Sequence, residues 1–313
     1  PCFFCLNEDS KVPNLLCKEC GKPLDIGPKL VGRKVDIYTL SRSVGRGHYG
    51  AVFQAANRIG KEFALKLVPK KLYDAREKSF ETEVSKYRCL GQHVNIASLE
   101  DAGSTTLNVL EKDIEFYFVV MEWVDGVTLT EFMKSSPRTP SEILSVVFDV
   151  SAALERFEDR NLWHNDLNSD NILLQELDQT EVRTRRLDSA FICKIVDTGS
   201  AVFRSARCEG RLSDLQFLAF HMNELRNHSL RNEGTETRQE QYLMNALSVI
   251  ISRLFDENEA RSISTASTLA LELDALYKSR LRLSDPEIVE LDDPFGFLNA
   301  NEFPNGGYIN LLF

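Results

Sequence analysis

The stretch Trp163-His164-Asn165-Asp166-Leu167-Asn168-Ser169-Asp170-Asn171-Ile172-Leu173-Leu174 decides the fold of this chain. It places a carboxylate, Asp166, and an amide, Asn171, in one short polar loop, and the apolar run that follows predicts a buried strand. A carboxylate in such a loop can accept a hydroxyl proton, and an amide carbonyl oxygen can bind a hard metal ion. The pattern also fits an ordinary polar turn before a strand, so its companions along the chain must decide.

Length and charge narrow the classes of function. The 313 residues allow one large or two medium domains, and the net charge of −10 argues against a nucleic-acid partner bound by bulk electrostatics. No apolar run is long enough to predict a membrane span. The chain opens at Pro1 without a signal peptide and has 7 cysteines, an odd number that fits a reducing, cytoplasmic location.

Four cysteines cluster at the N-terminus as two C-x2-C pairs, within residues 1–27. They are Cys2, Cys5, Cys17 and Cys20. Two such pairs supply the four thiolates of a tetrahedral site, so the segment predicts a zinc ribbon holding structural Zn²⁺. Redox dithiols and disulfides are the competing interpretations. Residues 28–35 read as a linker, and we expect loss of the ribbon to leave the rest of the chain folded.

Next comes a glycine-rich run, G-x-G-x-x-G-x-V, made by Gly45, Gly47, Gly50 and Val52. Between two strands it predicts a hairpin whose backbone can lie close to phosphates. Before a helix the same glycines would indicate a dinucleotide-binding turn, but the residues that follow here are typical of a strand.

Two charged side chains stand out beyond this hairpin. Lys66 interrupts the apolar strand 63–68, and Glu83 lies beside the apolar face of a helix predicted over 74–90. Lys66 either faces solvent at a sheet edge or binds phosphates, and its distance from the glycines favours phosphates. Glu83 is the expected partner of Lys66, with Glu81 as a competitor.

The later segments add a strand, a helix and a second carboxylate. A long connection is predicted near residues 104–114, and the apolar strand 116–121 that comes next is followed by a turn. Thr139-Pro140-Ser141-Glu142 is a capping box that starts a helix leading to the Asp166 loop. The residues at core spacing in this helix are Ile143, Val147, Val150, Leu154 and Phe157. A further strand ends at Asp197-Thr198-Gly199, where the Asp is well placed to bind Mg²⁺.

Taken in this order, the motifs resemble those of a Ser/Thr protein kinase domain over residues 36–283, and the fusion to a zinc ribbon looks bacterial. The resemblance implies an α+β, two-lobed fold, with an N-lobe over 36–124, a C-lobe over 125–283 and a C-terminal tail over 284–313. ATP and Mg²⁺ are the cofactors that it implies.

The resemblance also assigns roles by position. The implied catalytic residues are Asp166, Lys66, Glu83 and Asn168, with Asp166 positioning the acceptor hydroxyl and Lys66 the phosphates. The backbone of Glu122 and Val124 is expected to form hydrogen bonds with adenine. The implied ATP-binding residues are Gly45, Gly47, Gly50, Val52, Ala64, Lys66, Met121, Glu122, Val124 and Leu173. Asn171 and Asp197 are the implied Mg²⁺ ligands.

Four features depart from the kinase pattern. Asn165 replaces Arg, Asn168 stands where Ser/Thr kinases place Lys, Thr198 replaces the Phe of D-F-G, and no A-P-E motif lies between Gly199 and Asp214. Because the central residues are retained, we expect an active protein kinase. The alternatives are a small-molecule phosphotransferase and an ATP-binding pseudokinase scaffold.

The expected partner is a folded protein that is phosphorylated on Ser or Thr. The short segment after Gly199 is basic, with Arg204, Arg207 and Arg211, and this favours an acidic partner. The zinc ribbon is a further candidate for recruiting a protein.

Overall fold

The computed structural model describes residues 2, 4–5, 16–46, 50–74, 79–178, 189–203, 213–229, 238–256 and 262–283. The chain divides into two compact units. Pro1–Asp125 and Val196–Ala201 form the first, here called the sheet unit, and Gly126–Ile195 and Val202–Phe313 form the second, the helical unit.

The sheet unit is built on six antiparallel strands. They are β1 (Lys34–Val35), β2 (Tyr38–Arg46), β3 (Ala51–Ala56), β4 (Glu62–Pro69), β5 (Leu99–Val109) and β6 (Lys112–Glu122). Their order in the sheet is β1-β2-β3-β4-β6-β5. β3, β4 and β6 are therefore central, and they carry most of the residues that the motifs single out.

The helices described beside this sheet are α1 (Gly27–Leu30), α2 (Lys70–Asp74) and α3 (Phe80–Leu90). The apolar face predicted for the third is confirmed, since its four members are all buried: Phe80, Val84, Tyr87 and Leu90. The helix begins later than predicted because Ser79 caps it, accepting a hydrogen bond from the backbone N–H of Thr82.

One expectation about this unit is wrong. Residues 104–114 were expected to form a long connection, but they belong to the hairpin of β5 and β6. The pairing of these strands runs from Leu99 with Met121 to Val109 with Lys112. Leu110 and Glu111 make the tight turn, with φ values of 50° and 63°. Hairpin turns of this kind usually use Asn and Gly, so the sequence carried no turn signal.

The two faces of the sheet differ because successive side chains of a strand point to opposite sides. Phe53, Leu65 and Leu67 are buried on one face, whereas Ala64 and Lys66 lie on the other and are half-buried. The cysteine-rich segment contributes to the hydrophobic cluster of the first face, through Cys2, Phe4, Cys17, Leu24, Ile26 and Leu30. The N-terminal segment thus covers the face opposite Lys66.

Residues 28–35, predicted as a linker, include most of α1 and all of β1, which pairs with β2. Lys112 of β6 also donates a hydrogen bond to the carbonyl oxygen of Phe4, at 3.0 Å. The cysteine-rich segment therefore packs directly on the sheet and is not separated from it by a free linker.

In the part of the chain that the structure describes, the helical unit contains five short strands and five α-helices. The strands are β7 (Gly126–Thr128), β8 (Leu162–Trp163), β9 (Ile172–Glu176), β10 (Phe191–Ile195) and β11 (Val202–Phe203), and the helices are α4 (Leu129–Ser135), α5 (Pro140–Asp159), α6 (Asp214–Ser229), α7 (Arg238–Leu254) and α8 (Ala266–Leu283). The strands form two small sheets, β10-β9-β7 and β11-β8.

Helix α5 is the centre of this unit and contacts α6, α7, α8 and β10. Its predicted capping box is confirmed: Thr139 and Glu142 exchange hydrogen bonds with each other's backbone N–H, and Pro140 opens the helix. The apolar residues predicted at core spacing are buried: Ile143, Val147, Val150, Leu154 and Phe157. A packed α5 fixes the point from which the chain enters the Asp166 loop.

Among the residues that the structure describes, no helix combines the length and the apolar character needed to cross a membrane.

Candidate active site

The predicted site residues fall into two sets, one in each unit. The helical unit holds Asp166, Asn168, Asn171 and Leu173. The sheet unit holds Gly45, Gly50, Val52, Ala64, Lys66, Glu83, Met121, Glu122, Val124 and Asp197.

The Asp166 loop joins β8 to β9 and is anchored by buried side chains. His164 and Leu167 are both 0% exposed, and the His164 ring packs edge-on against Phe157 of α5, with the centroids 5.5 Å apart. Asp166 itself is exposed. The residues on both sides of Asp166 are therefore anchored in the protein interior, while the Asp166 carboxylate is exposed.

Two asparagines organise the other side of this loop. The Nδ2 of Asn171 donates to the backbone carbonyl oxygen of Asp166 at 2.9 Å, and Asn168 accepts the backbone N–H groups of Asp170 and Asn171 at 3.0 and 3.1 Å. Asn168 thus caps the 3-10 turn Ser169–Asn171. Its own Nδ2 lies 3.4 Å from the Asp166 carboxylate, a long contact.

Asp214, the first residue of α6, is a site residue that our reading of the sequence missed. Its carboxylate is buried and accepts the backbone N–H groups of His164 and Asn165, at 2.7 and 2.9 Å. These bonds hold the loop immediately before Asp166. The only signal in the sequence was an acidic residue opening an apolar helix, and that is also typical of a helix N-terminus.

In the sheet unit, Lys66 of β4 is bound to Asp197. Its Nζ lies 2.7 Å from one carboxylate oxygen and 2.9 Å from the other. Asp197 has a left-handed backbone, with φ of 54°, and accepts the N–H of Gly199. The structure thus joins a predicted phosphate-binding cation to a predicted metal ligand.

Glu83 lies near this pair but has a different hydrogen-bond partner. The hydroxyl of Tyr73 in α2 donates to its Oε2. A Cβ added to Gly199 would lie 2.9 Å from Oε1 of Glu83 and 3.4 Å from Nζ of Lys66. Glu83 therefore faces the Lys66–Asp197 pair, although the described residues show no Lys66–Glu83 ion pair.

The competitor Glu81 does not face this pair. It is exposed and accepts a hydrogen bond from Ser79 at 2.9 Å, at the start of α3. Glu83 is therefore the residue of α3 that the fold brings toward Lys66.

The predicted ATP-binding residues of the strands are neighbours across the sheet. Val52 pairs with Lys66 and also with Gly45, while Ala64 pairs with Met121. A Cβ at Gly50 would lie 2.4 Å from the backbone oxygen of Leu67, so only glycine fits there. Gly47 lies outside the described residues.

The turn after β6 refines one expectation about adenine. The backbone N–H of Glu122 donates to the carbonyl oxygen of Ser98 at 2.9 Å, and its side chain accepts the N–H of Ser98 at 3.3 Å. An adenine contact by the backbone of Glu122 would therefore use its carbonyl group. Met121 and Val124 are buried.

The four N-terminal cysteines converge on one point. Their sulfur atoms all lie within 4.8 Å of one another, with 3.6 Å between Cys2 and Cys20 and 3.5 Å between Cys5 and Cys17. A Zn–S bond of about 2.3 Å gives a tetrahedral edge of about 3.8 Å, so the four positions fit a zinc ion. No pair of them is at the bonding distance of a disulfide, about 2.05 Å, so all four are free cysteines in this structure.

The surroundings of Cys17 and Cys2 shift the pKa values of their thiols in opposite directions. The backbone N–H groups of Cys20 and then Glu19 hydrogen-bond to Cys17 and lower its pKa to about 7, whereas burial raises the pKa of Cys2. A bound metal would keep all four as thiolates.

Several sequence-based expectations fall outside the described residues. These are the roles of Arg204, Arg207 and Arg211 and of the tail over 284–313.

Comparison with known proteins agrees with this arrangement. Residues 38–219, more than half of the chain, match the family model described as protein kinase domain. The match includes both sets of site residues, from Gly45 through Asp197, and also Asp214.

Individual relatives are distant. MAP kinase-interacting serine/threonine-protein kinase 1 of Xenopus laevis is 28% identical over 179 residues, which are 56% of this chain and 39% of that protein. Serine/threonine-protein kinase Pkn1 of Myxococcus xanthus is 28% identical over 190 residues, 60% of this chain and 25% of that protein. Serine/threonine-protein kinase PrkC of Bacillus subtilis (strain 168) is 29% identical over 161 residues, 50% of this chain and 23% of that protein. The matched stretch therefore spans well under half of each relative.

Proposed function

Because this chain belongs to the protein kinase family, as its match over residues 38–219 shows, we propose that it transfers the γ-phosphate of ATP to Ser or Thr of a protein. The observation that carries the proposal is the geometry of the Asp166 loop. The exposed carboxylate of Asp166 and the amide of Asn171, whose oxygen could bind a metal ion, lie in the same turn. Asp214 holds the same loop by accepting hydrogen bonds from the backbone N–H groups of His164 and Asn165.

Asp166 is the residue that acts on the acceptor. Its exposed carboxylate accepts the hydroxyl proton and orients the oxygen for attack, as the corresponding aspartate does in protein kinases. Asn168 stands where Ser/Thr kinases place a lysine, so it brings no positive charge to the transferred phosphate. Its contact with Asp166 instead supports the orientation of that carboxylate.

Lys66, Asn171 and Asp197 serve the nucleotide. Bound Mg-ATP supplies the phosphoryl group and the divalent charge that neutralises it. The oxygens of Asp197 and Asn171 are the hard ligands that Mg²⁺ prefers, and the Lys66 ammonium can bind phosphate oxygens. Catalysis of this kind depends on positioning and charge neutralisation, and it needs no covalent intermediate with the protein.

The substrate proposal is a folded, acidic protein. It rests on the sequence between Gly199 and Asp214, which is too short to build a long peptide-binding surface and contains three arginines. Charge complementarity with an acidic partner raises the rate of encounter more than it tightens the complex. We expect weak activity on generic short peptides.

We further propose that the four cysteines hold one structural zinc ion. The mutual distances of their sulfurs support this, and four thiolates leave no open position for catalysis. Because the segment covers a face of the sheet, its first role is to stabilise the sheet unit. Recruitment of a partner by the same segment remains a separate proposal.

The decisive experiment is transfer of γ-labelled phosphate with Mg²⁺, comparing wild type with Asp166→Ala. One pool contains cell proteins and the other contains small metabolites and sugars. We expect label on Ser and Thr of protein with wild type and a loss of at least about a thousandfold with the variant. Label confined to small molecules would favour a small-molecule phosphotransferase, and ATP binding without transfer would favour a pseudokinase scaffold.

A further inference from the structure

Helix α6 carries two buried polar side chains on one face. Asp214 and His221 are only 4% and 5% exposed, and they lie seven residues apart, which is about two helical turns. Buried polar groups in folded proteins almost always have a specific hydrogen-bond partner. Both partners of this pair lie in the Asp166 loop.

Asp214 and His221 hold the loop on either side of Asp166. Asp214 accepts the N–H groups of His164 and Asn165, which precede Asp166. The Nε2 of His221 lies 3.0 Å from the backbone carbonyl oxygen of Leu167, which follows it. The backbone around the proton-accepting carboxylate is thus fastened to one helix at both ends.

The direction of the His221 bond follows from its chemistry. A carbonyl oxygen only accepts, so Nε2 of His221 carries the hydrogen and donates it. The other ring nitrogen lies 3.3 Å from Oε2 of Glu224 on the same helix. Leu167 is completely buried, so its carbonyl group has a fixed position in the interior.

The loop needs such a restraint because its backbone is strained. Asn165 has φ of 65°, a left-handed conformation that non-glycine residues seldom adopt. Such a conformation persists only where the surrounding structure holds it. Asp214 binds the strained residue itself, and His221 binds the chain two residues later.

We propose that His221 is a positioning residue for Asp166, holding the Leu167 carbonyl so that the carboxylate points at the acceptor hydroxyl. This inference rests on the transfer reaction proposed above. His221 touches neither of the predicted metal ligands, so its removal affects the chemical step more than the binding of nucleotide. Displacement of a catalytic group by about 1 Å can cost up to about a hundredfold in rate.

The test compares three substitutions in the full chain. His221→Gln keeps an N–H donor near the Nε2 position, His221→Leu removes the donor, and His228→Leu removes the other histidine of the same helix as a control. We expect His221→Leu to lower kcat about tenfold or more, with the KM for ATP changed less than about twofold. His221→Gln should recover most of the rate, and His228→Leu should match wild type.

Hydrogen–deuterium exchange supplies a readout that does not depend on activity. We expect faster exchange over residues 164–171 in His221→Leu than in wild type and little change in His221→Gln. If the Leu variant does not fold, His221→Asn replaces it, because the shorter amide stops short of the Leu167 carbonyl.

The outcomes separate the two proposals. Equal kcat and equal exchange for wild type and the Leu variant, or equal losses for the Leu and Gln variants, would overturn the role of His221. A wild-type protein without any transfer activity would overturn the proposed function, and the exchange data would still decide whether His221 holds the loop.

Discussion

Among single residues, Tyr73 has a position that its place in the sequence does not suggest. Its hydroxyl donates to Glu83, while its buried ring packs edge-on against Phe80 and Tyr117, with centroids 6.0 and 5.5 Å away. Burial, followed by the hydrogen bond to Glu83, raises the pKa of Tyr73, so the hydroxyl stays protonated at neutral pH. Tyr73 thus holds Oε2 of Glu83, and Oε1 faces Gly199.

We expect Tyr73→Phe to lower kcat/KM for ATP about tenfold, because a hydrogen bond to a charged group contributes about 1.5–3 kcal/mol. The packing of the ring is kept. Steady-state kinetics measure the effect, and Tyr117→Phe is the control, since it removes a hydroxyl from the same aromatic cluster without a contact to Glu83. An unchanged kcat/KM in Tyr73→Phe would show that Glu83 does not need this bond.

Substitutions of Asp197 and Asp166 should differ in their effect on the affinity for Mg-ATP. Asp197→Ala removes a proposed metal ligand, so we expect both lost transfer and weaker Mg-ATP binding. Asp166→Ala should abolish transfer and leave Mg-ATP binding within about twofold of wild type. Calorimetric titration with Mg-ATP checks this difference, and equal affinity losses in the two variants would contradict the assigned roles.

At the level of elements, α3 contacts the segment 197–201 through one hydrogen bond from Lys86 and the packing of Tyr87. Thr198 occupies the place of the apolar Phe of the kinase motif and is buried. Lys86, one turn after Glu83, donates to the carbonyl oxygen of Ala201 at 2.8 Å. Tyr87 is also buried near Thr198, and burial is the main reason that its pKa is raised. These contacts connect the Glu83 helix to the Asp197 segment where the apolar ring is missing.

We expect Lys86→Met to loosen this connection. A hydrogen bond from a charged group contributes about 1.5–3 kcal/mol, so the KM for Mg-ATP should rise about tenfold. Hydrogen–deuterium exchange over residues 196–203 should become faster at the same time. Arg88→Met is the matched control, because it removes an exposed positive charge from the last turn of the same helix. Equal behaviour of the two variants would argue against a specific role for Lys86.

At the scale of the molecule, the N-terminal segment buries a face of the sheet that could otherwise be exposed to solvent. An antiparallel sheet commonly leaves one face to solvent. Here one face packs on the cysteine-rich segment, and α3 residues pack with Val119 and Met121 of β6. The buried Cys2 and Cys17 share a hydrophobic cluster with Phe53 and Phe116. A metal that orders this segment therefore stabilises the sheet that carries Lys66.

We expect one zinc ion per chain and a lower melting temperature of the sheet unit after its removal. Binding of a metal to the folded state alone stabilises that state by mass action. Metal analysis followed by thermal unfolding with and without a strong chelator measures both quantities. This prediction replaces our expectation that loss of the ribbon leaves the rest of the chain folded.

Cys17→Ser should reproduce the effect of the chelator, whereas Cys89→Ser, a change at a half-buried cysteine of α3, should not. If the chelator and Cys17→Ser leave the melting temperature unchanged, the segment does not support the sheet. Absence of zinc from the purified protein would refute the metal site itself.

The sequence alone was enough to predict the kinase family, the Asp166 loop, the Lys66 strand, the α3 face and the capped start of α5. Each of these is encoded locally. A capping box joins residues three apart, a helix face repeats every three or four, and a catalytic loop keeps its ligands within one turn. Such patterns are visible before any distant contact forms.

The tertiary structure decided what lies beside those residues. Lys66 and Asp197 are 131 positions apart in the chain, Asp214 and His164 are 50 apart, and His221 and Leu167 are 54 apart. The spacing of residue types cannot indicate these partners, because they meet only after strands and helices have packed. For the same reason, the sequence could not show which face of the sheet the cysteine-rich segment covers, because the spacing of its cysteines predicts only a metal site.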